Sequence, residues 1–180
     1  MRISNRRGML LLVSLPIGTA LLATLAKRGD LPDAELLALT DSMRQLNRDA
    51  SRAALGVGAT CATDITGFGL LGHASHIARA SRVTLRIETA RVPLLPGARA
   101  AAARGVRTGG ADRNLQFLDS LVDWGRADEV TRELMIDPQT SGGLLVALQP
   151  DVVGRYVSSV AHAVEIGEVL PAGPVGLVLA

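Results

Sequence analysis

The sequence predicts a single α/β domain, a mixed β-sheet packed by helices, and three observations carry that prediction. The first is length: 180 residues form one ordinary domain that can bury about 70% of the surface its unfolded chain exposes. The second is composition. Hydrophobic residues make up 48% of the chain and are rich in Ala, Leu and Val, while the aromatics are Phe68, Phe117, Trp124 and Tyr156, so the core is aliphatic. The third is alternation: stretches with apolar residues three and four apart take turns with short apolar or alternating runs, and no internal repeat, low-complexity segment or linker divides residues 1–180.

Each element has its own signal. Met9 to Ser14 is a strand, Pro16 a turn, and the following helix runs to Lys27 with Gly29 as its C-terminal cap. Pro32 and Asp33 open a helix whose residues Leu36, Leu39, Met43, Leu46, Ala50 and Ala53 form one buried stripe. A strand around Val57 to Ala62 precedes a helix from about Gly67 to Ala80, with Leu70, Leu71, Ala74, Ile77 and Ala78 inward. "VTLRIE", Val83 to Glu88, alternates as a strand does. An alanine-rich helix around Ala98 to Arg104, a glycine turn "RTGGADRN" and a helical stretch containing Leu115, Leu118, Leu121 and Val122 come next. "DPQTSGG" breaks the chain before the strand "LLVAL"; a helix from about Asp151 to Ala163 and strands at "VEIGEV" and "VGLVLA" complete it.

Charge and composition exclude several functions. The net charge of +2 is spread without a basic block, and aromatic platforms are scarce, so nucleic acid is not an expected partner. The lone lysine, Lys27, is followed by Arg28, which rules out a Walker-type loop and leaves arginine, backbone N–H groups or a metal to hold any phosphate. A single cysteine, Cys61, permits no internal disulfide and suits a reducing cytoplasm; its apolar, small-residue setting makes it an inert core residue rather than a nucleophile. "MRISNRR" before the uncharged run Gly8 to Ala26 resembles a leader or a barely long enough membrane span. Pro16 and Gly18 break that run, and the expectation is a soluble protein without membrane contact.

The polar segment "CATDITGFGLLGHASHIARAS", Cys61 to Ser81, is where chemistry would concentrate. Asp64 lies where a strand ends, just ahead of a helix whose first N–H groups carry partial positive charge. Beside Thr63, Thr66, Gly67 and Gly69, its carboxylate either caps that helix or holds a hard cation that bridges phosphate oxygens. His73 and His76 could share a helix face, yet no further ligand stands at zinc spacing, so surface or hydrogen-bonded histidines are the expectation.

"TDITGFGLLGH" from Thr63 to His73, "GGADRN" from Gly109 to Asn114 and "DPQTSGGLLVAL" from Asp137 to Leu148 resemble, in order and spacing, three signatures of the second domain of selenide, water dikinase, the selenophosphate synthetase family. "LPIGTALLATLAKRG" and "LLPGARAAAARG" resemble the segments around them, although Leu15 stands where the family usually has lysine. The resemblance implies a fold like the C-terminal domain of aminoimidazole ribonucleotide (AIR) synthase, shared with thiamine monophosphate kinase and a hydrogenase maturation factor. It implies a reaction in which ATP, selenide and water give selenophosphate, AMP and phosphate, with magnesium as the metal. It further implies that the redox-active cysteine or selenocysteine, the catalytic lysine and most metal-binding aspartates belong to a preceding domain that this sequence lacks. ATP and selenide would be engaged together with that domain, which would also carry most of any homodimer surface.

No catalytic residue is therefore carried onto this chain, and Cys61 is not at the nucleophile's place. Asp64 matches the aspartate of the family's motif and would be a magnesium ligand facing the nucleotide phosphates, with Thr63, Thr66 and Gly67 beside it. Arg113 and Asn114 would contact phosphate or substrate, or else form a salt bridge and a turn-closing amide. Thr140, Ser141, Gly142 and Gly143 would make an anion-binding nest, or else a tight turn into a buried strand. Two function classes stay open: the nucleotide-facing half of the synthetase, or a non-catalytic binding or regulatory module. The same domain of a hydrogenase maturation factor or of AIR synthase is a further alternative.

Overall fold

The computed structural model describes Ile3 and residues 8–180, so the leader-like "MRISNRR" lies, apart from Ile3, outside the described residues. Among those residues seven strands form one sheet: β1 Leu10–Val13, β2 Cys61–Asp64, β3 Thr84–Ile87, β4 Val122–Asp123, β5 Leu144–Leu148, β6 Val164–Leu170 and β7 Leu177–Leu179. Their order is β2-β5-β1-β6-β3-β7-β4. The pairs from β2 across to β3 are antiparallel, while β7 runs parallel to both β3 and β4, so the sheet is mixed as expected.

β1, "LLLV", carries no polar residue because both of its faces are covered. Leu11 and Val13 point into the larger core, and Leu12 into a smaller one on the other side. Helices α1 Thr19–Arg28, α4 Gly69–Ser81, α5 Ala98–Ala103, α6 Gly109–Leu118 and α7 Glu129–Ile136 bury their apolar stripes in the larger core. Helix α2 Asp33–Arg44 packs outside α1, adding Leu39. On the opposite face α3 Arg48–Gly56 and α8 Pro150–Ser159 close the smaller core with Ala50, Ala54 and Tyr156. Each large aliphatic side chain sealed in this way contributes about 1.5–3 kcal/mol. Beyond that second cover, β3 and β6 carry surface ion pairs, Arg86 with Glu88 and Glu168 and Arg91 with Glu165, worth little individually.

The N-terminal reading holds in the described part: β1, the turn at Pro16 and α1 follow one another, Gly29 caps α1 at φ 76°, and Leu12, Leu22 and Leu25 are buried. No helix among the described residues is long and apolar enough to cross a membrane. Four expectations need correction. The stripe from Leu36 to Ala53 is two helices: Gln45 turns extended after α2, Leu36 and Leu46 are exposed at 41% and 74%, and Leu39 and Ala50 are buried. Asn47 fixes the break by donating its Nδ2 to the Gly142 carbonyl at 2.9 Å. The strand expected over Val57 to Ala62 starts only at Cys61, because α3 runs to Gly56 and a turn follows. "RTGGADRN" is the start of a helix: Thr108 accepts the Ala111 N–H and caps α6, while Val122 belongs to β4. Helix α7, capped by Asp128, stands where the sequence shows no strong stripe.

Candidate functional site

Three segments far apart in sequence meet at one end of the sheet. β2 ends at Asp64, and its continuation Ile65 to Phe68 leads into α4. This loop lies against the connection between α7 and β5, residues Asp137 to Gly143, because the Ile65 N–H donates to the Gly143 carbonyl at 2.8 Å and the Gln139 N–H to the Thr66 carbonyl at 3.0 Å. The approach is too close for side chains. A Cβ on Gly142 would overlap the Ile65 carbonyl oxygen, and one on Gly69, whose φ is +68°, would lie 2.6 Å from the Ile136 oxygen. Only glycine meets both demands at position 69. The first two turns of α6 complete the junction: Gly110 abuts Pro138, and Asn114 donates its amide to the carbonyls of Gly67, at 3.0 Å, and Ile136, at 2.9 Å.

Below these loops the N-terminus of α1 is capped from a distance. Gln139 Oε1 accepts the Gly18 and Thr19 N–H groups at 3.0 and 3.2 Å together with the Thr19 hydroxyl, and Asp137 Oδ2 accepts the Ala20 N–H at 3.2 Å. Gln139 Nε2 bridges back to Asp137, through both its carbonyl and its Oδ2. The Thr140 N–H donates to the Thr19 hydroxyl at 2.7 Å. Asp137 is fully buried and, among the described residues, its Oδ1 has no hydrogen-bond partner. Burial pushes its carboxyl up to about 7, against the lowering pull of the helix N–H groups and Gln139.

The predicted site residues divide by this geometry. Asp64 is exposed at the strand end, and among the described residues its carboxylate makes no hydrogen bond or ion pair. It is not a cap, since the residue before α4 is Phe68 and no side chain bonds the helix there. Thr63 is buried, its hydroxyl donating to the Asp64 carbonyl at 3.1 Å. The Thr66 N–H donates to His73 Nε2 at 3.0 Å, so the neutral ring carries its proton on Nδ1. Burial pushes His73 down, Asp64 opposes that, and His76 adds to it. Gly67 is exposed with its carbonyl held by Asn114. Arg113 is exposed and makes no ion pair among the described residues, whereas Asn114 is buried as a clamp. Thr140 and Ser141, the latter at φ 55°, are exposed, while Gly142 and Gly143 are buried in the turn into β5.

Cys61 is buried and its thiol is pushed up by desolvation, an inert setting. His73 and His76 stack edge to face with Phe68, 5.8 and 5.6 Å away, and His76 also meets Phe117 at 5.9 Å. Asp137 and Gln139 are the residues sequence reasoning passed over. They stand inside the "DPQTSGG" motif, and the available signal was a polar pair flanking a proline directly before a strand of apolar residues.

Residues 6–179 match the model of the AIR synthase related protein, C-terminal domain. The selenide, water dikinase of Pseudomonas straminea is 36% identical in an alignment 173 positions long that covers 93% of this chain and 48% of that protein. That of Geobacter sp. (strain M21) is 38% identical in an alignment 177 positions long that covers 96% of this chain and 51% of that protein. The chain thus spans about half the length of the curated relatives it matches. Among solved structures, thiamine monophosphate kinase from Aquifex aeolicus aligns with a TM-score of 0.61 at 18% identity, over 97% of this chain and 50% of that one. Hydrogenase maturation protein HypE in complex with ATP aligns at 0.59 and 20% identity, over 93% of this chain and 44% of that one. Identities this low establish the shared fold.

Proposed function

The chain belongs to the AIR synthase related family, as its C-terminal domain, and from that premise we propose that it is the nucleotide-facing half of an ATP-dependent selenophosphate synthetase. The observation that carries this reading is the unequal use of polar groups at the junction of the three motifs. Asn114, Asp137 and Gln139 are engaged in holding the loops, and the Asp64 carboxylate is left exposed at their rim, without a hydrogen bond or ion pair among the described residues. The names of the relatives, selenide, water dikinases at 36% and 38% identity, and the ATP in a structural neighbour support the same assignment.

Magnesium fits this donor set as a shared ion. No group of three or more His, Cys, Asp or Glu side chains that could hold a metal occurs among the described residues. Asp64 would supply one carboxylate and the remaining ligands would come from phosphate oxygens and from a second domain. Such an ion, when bound, neutralises the charge that gathers on the phosphates during transfer. The chain's own part is positional. Asn114 fixes the Gly67 carbonyl, Gln139 fixes the Thr66 carbonyl, and His73 holds the Thr66 N–H, so the backbone beside Asp64 has one arrangement. The exposed Arg113, Thr140 and Ser141 lie on the motif segments and would reach phosphate oxygens directly. Soluble, cytoplasmic residence and pairing with an N-terminal half that binds ATP and selenide belong to this proposal.

The test is reconstitution. The purified chain alone should form no AMP from ATP and selenide, and adding the N-terminal half of a selenide, water dikinase should produce selenide-dependent AMP. Turnover by the chain alone, or tight association of the halves without any turnover, would overturn the reading in favour of an independent enzyme or a non-catalytic module respectively.

A further inference from the structure

A cavity of about 260 Å³ opens between the C-terminal end of α4, the end of α6 and the turn joining β6 to β7. Its walls are apolar, with Ala78, Phe117, Leu121, Pro174 and Val175 lining it. Two arginines, Arg79 and Arg82, complete the lining and are exposed at its mouth. Among the described residues neither guanidinium makes an ion pair, and Glu88, Glu165 and Glu168 are held by other arginines. Arg86 holds Glu168 at 2.9 Å and Glu88 at 3.1 Å, and Arg91 holds Glu165 at 2.8 Å. The residues outside the description, Met1, Arg2 and 4–7, contain no Asp or Glu. Two cations without counter-charge at the edge of an apolar cavity are complementary to an anion that has an apolar body.

We propose that this cavity is a binding site for a small amphipathic anion, a carboxylate, sulfonate or phosphate group held by Arg79 and Arg82 with an apolar chain or ring against Phe117 and Leu121. The volume suits an apolar chain or ring of several carbons, with the charged head group at the mouth between the arginines. Arginine suits the head group because its planar fork grips two oxygens at once. The site is separate from the motif junction but in touch with it. Phe117 meets His76 at 5.9 Å, His76 meets His73 at 6.2 Å, and His73 bonds the Thr66 N–H. The inference stands whether or not the chain takes part in selenophosphate synthesis.

Octanoate is the probe, titrated into the full chain and followed by NMR. Saturable shifts are expected at the amides of Ala78, Arg79, Arg82 and Gly176, with a following change at the His76 ring. Octanol and inorganic phosphate, each lacking one half of the chemistry, should bind about 10-fold more weakly or worse. Arg79→Gln combined with Arg82→Asn should weaken octanoate by a similar factor. Both positions are exposed, and asparagine tolerates the φ of 54° at residue 82, so folding is kept. Gly176→Leu should abolish binding, since its Cβ fits at 3.5 Å from the Ala78 Cβ and the rest of the side chain enters the cavity. Absence of saturable shifts, shifts that map elsewhere, equal binding of phosphate, or an unchanged affinity in the double arginine variant would each overturn the proposal.

Discussion

The rim and the floor of the motif junction are built from the same three sequence motifs and behave as opposites. On the rim, Asp64, Gly67 and Arg113 are exposed, and the side chains of Asp64 and Arg113 have no bonded partner among the described residues. On the floor, Asn114, Asp137, Gln139, Gly142 and Gly143 are buried and are held by hydrogen bonds or backbone packed against them. A motif therefore mixes residues that build a surface with residues that use it, and burial together with hydrogen-bond accounting separates the two.

Substitutions can break this contrast, ranked here by the stability they should cost. Gly142→Ala puts a methyl group onto the Ile65 carbonyl oxygen and 2.8 Å from the Gln139 Cβ, neither of which is the free end of a flexible side chain. A loss of about 3 kcal/mol or more is expected, read as a fall in Tm of roughly 6–12 °C for a domain of this size. A Tm within a degree of the parent would show that the two loops can part freely. Asn114→Ala leaves the Gly67 and Ile136 carbonyls without their donor. Chemical denaturation should show a loss of roughly 2–3 kcal/mol, and a neutral result would return Asn114 to the rim.

The third test uses pH. Burial holds Asp137 at about 7, above the ordinary carboxylate value of about 3.9. The folded state then binds more protons than the unfolded chain between those values. The stability from this group is complete below about pH 4 and is lost as pH rises through about 7, at up to ~1.4 kcal/mol per pH unit. Glu133, also pushed up by burial, acts in the same sense, and His73, pushed down, acts in the opposite one. Asp137→Asn keeps an acceptor for the Ala20 N–H and removes the ionisation. Its denaturation free energy between pH 5 and 7 should be flatter than the parent's, and an equal slope would place the titration elsewhere. The smallest stability effect belongs to Asp64→Asn, within about 0.5 kcal/mol as for most surface changes. In the reconstituted enzyme the same change should cut ATP turnover by about 100-fold, comparable to losing one electrostatic stabiliser. Lost stability with full turnover would move Asp64 to the floor.

The sequence made the rim easier to read than the floor. Asp64 stood out because a carboxylate among glycines at a strand end is rare chemistry. The clamp role of Asn114 depends on carbonyls 47 and 22 residues away, and no local pattern announces such distant partners. Strands β1, β3, β5, β6 and β7 were legible through aliphatic or alternating runs, and α4 through an inward face of Leu70, Leu71, Ala74, Ile77 and Ala78, all at most 1% exposed, whereas β4 was read as helix and β2 as starting too early. Helix α7 was missed because it buries Thr131 and Glu133 along with Leu134, Met135 and Ile136, which blurs its stripe. The break between α2 and α3 was missed for the converse reason. The stripe continues through Leu46, and only the contact of Asn47 with Gly142 reveals the interruption.

The place of β1 in the sheet has a consequence in time. Leu10 lies opposite Leu148 on one side and Glu168 on the other, so both neighbours of this strand are made long after it, the nearer one 138 residues later. At roughly 5–20 residues per second, an emerging β1 waits on the order of ten seconds with its apolar edges unpaired. Closing such long loops before any pairing is gained also slows refolding of the finished chain. This interior strand thus needs shielding while it emerges from the ribosome, and its pairing is gated by the arrival of β5 and β6.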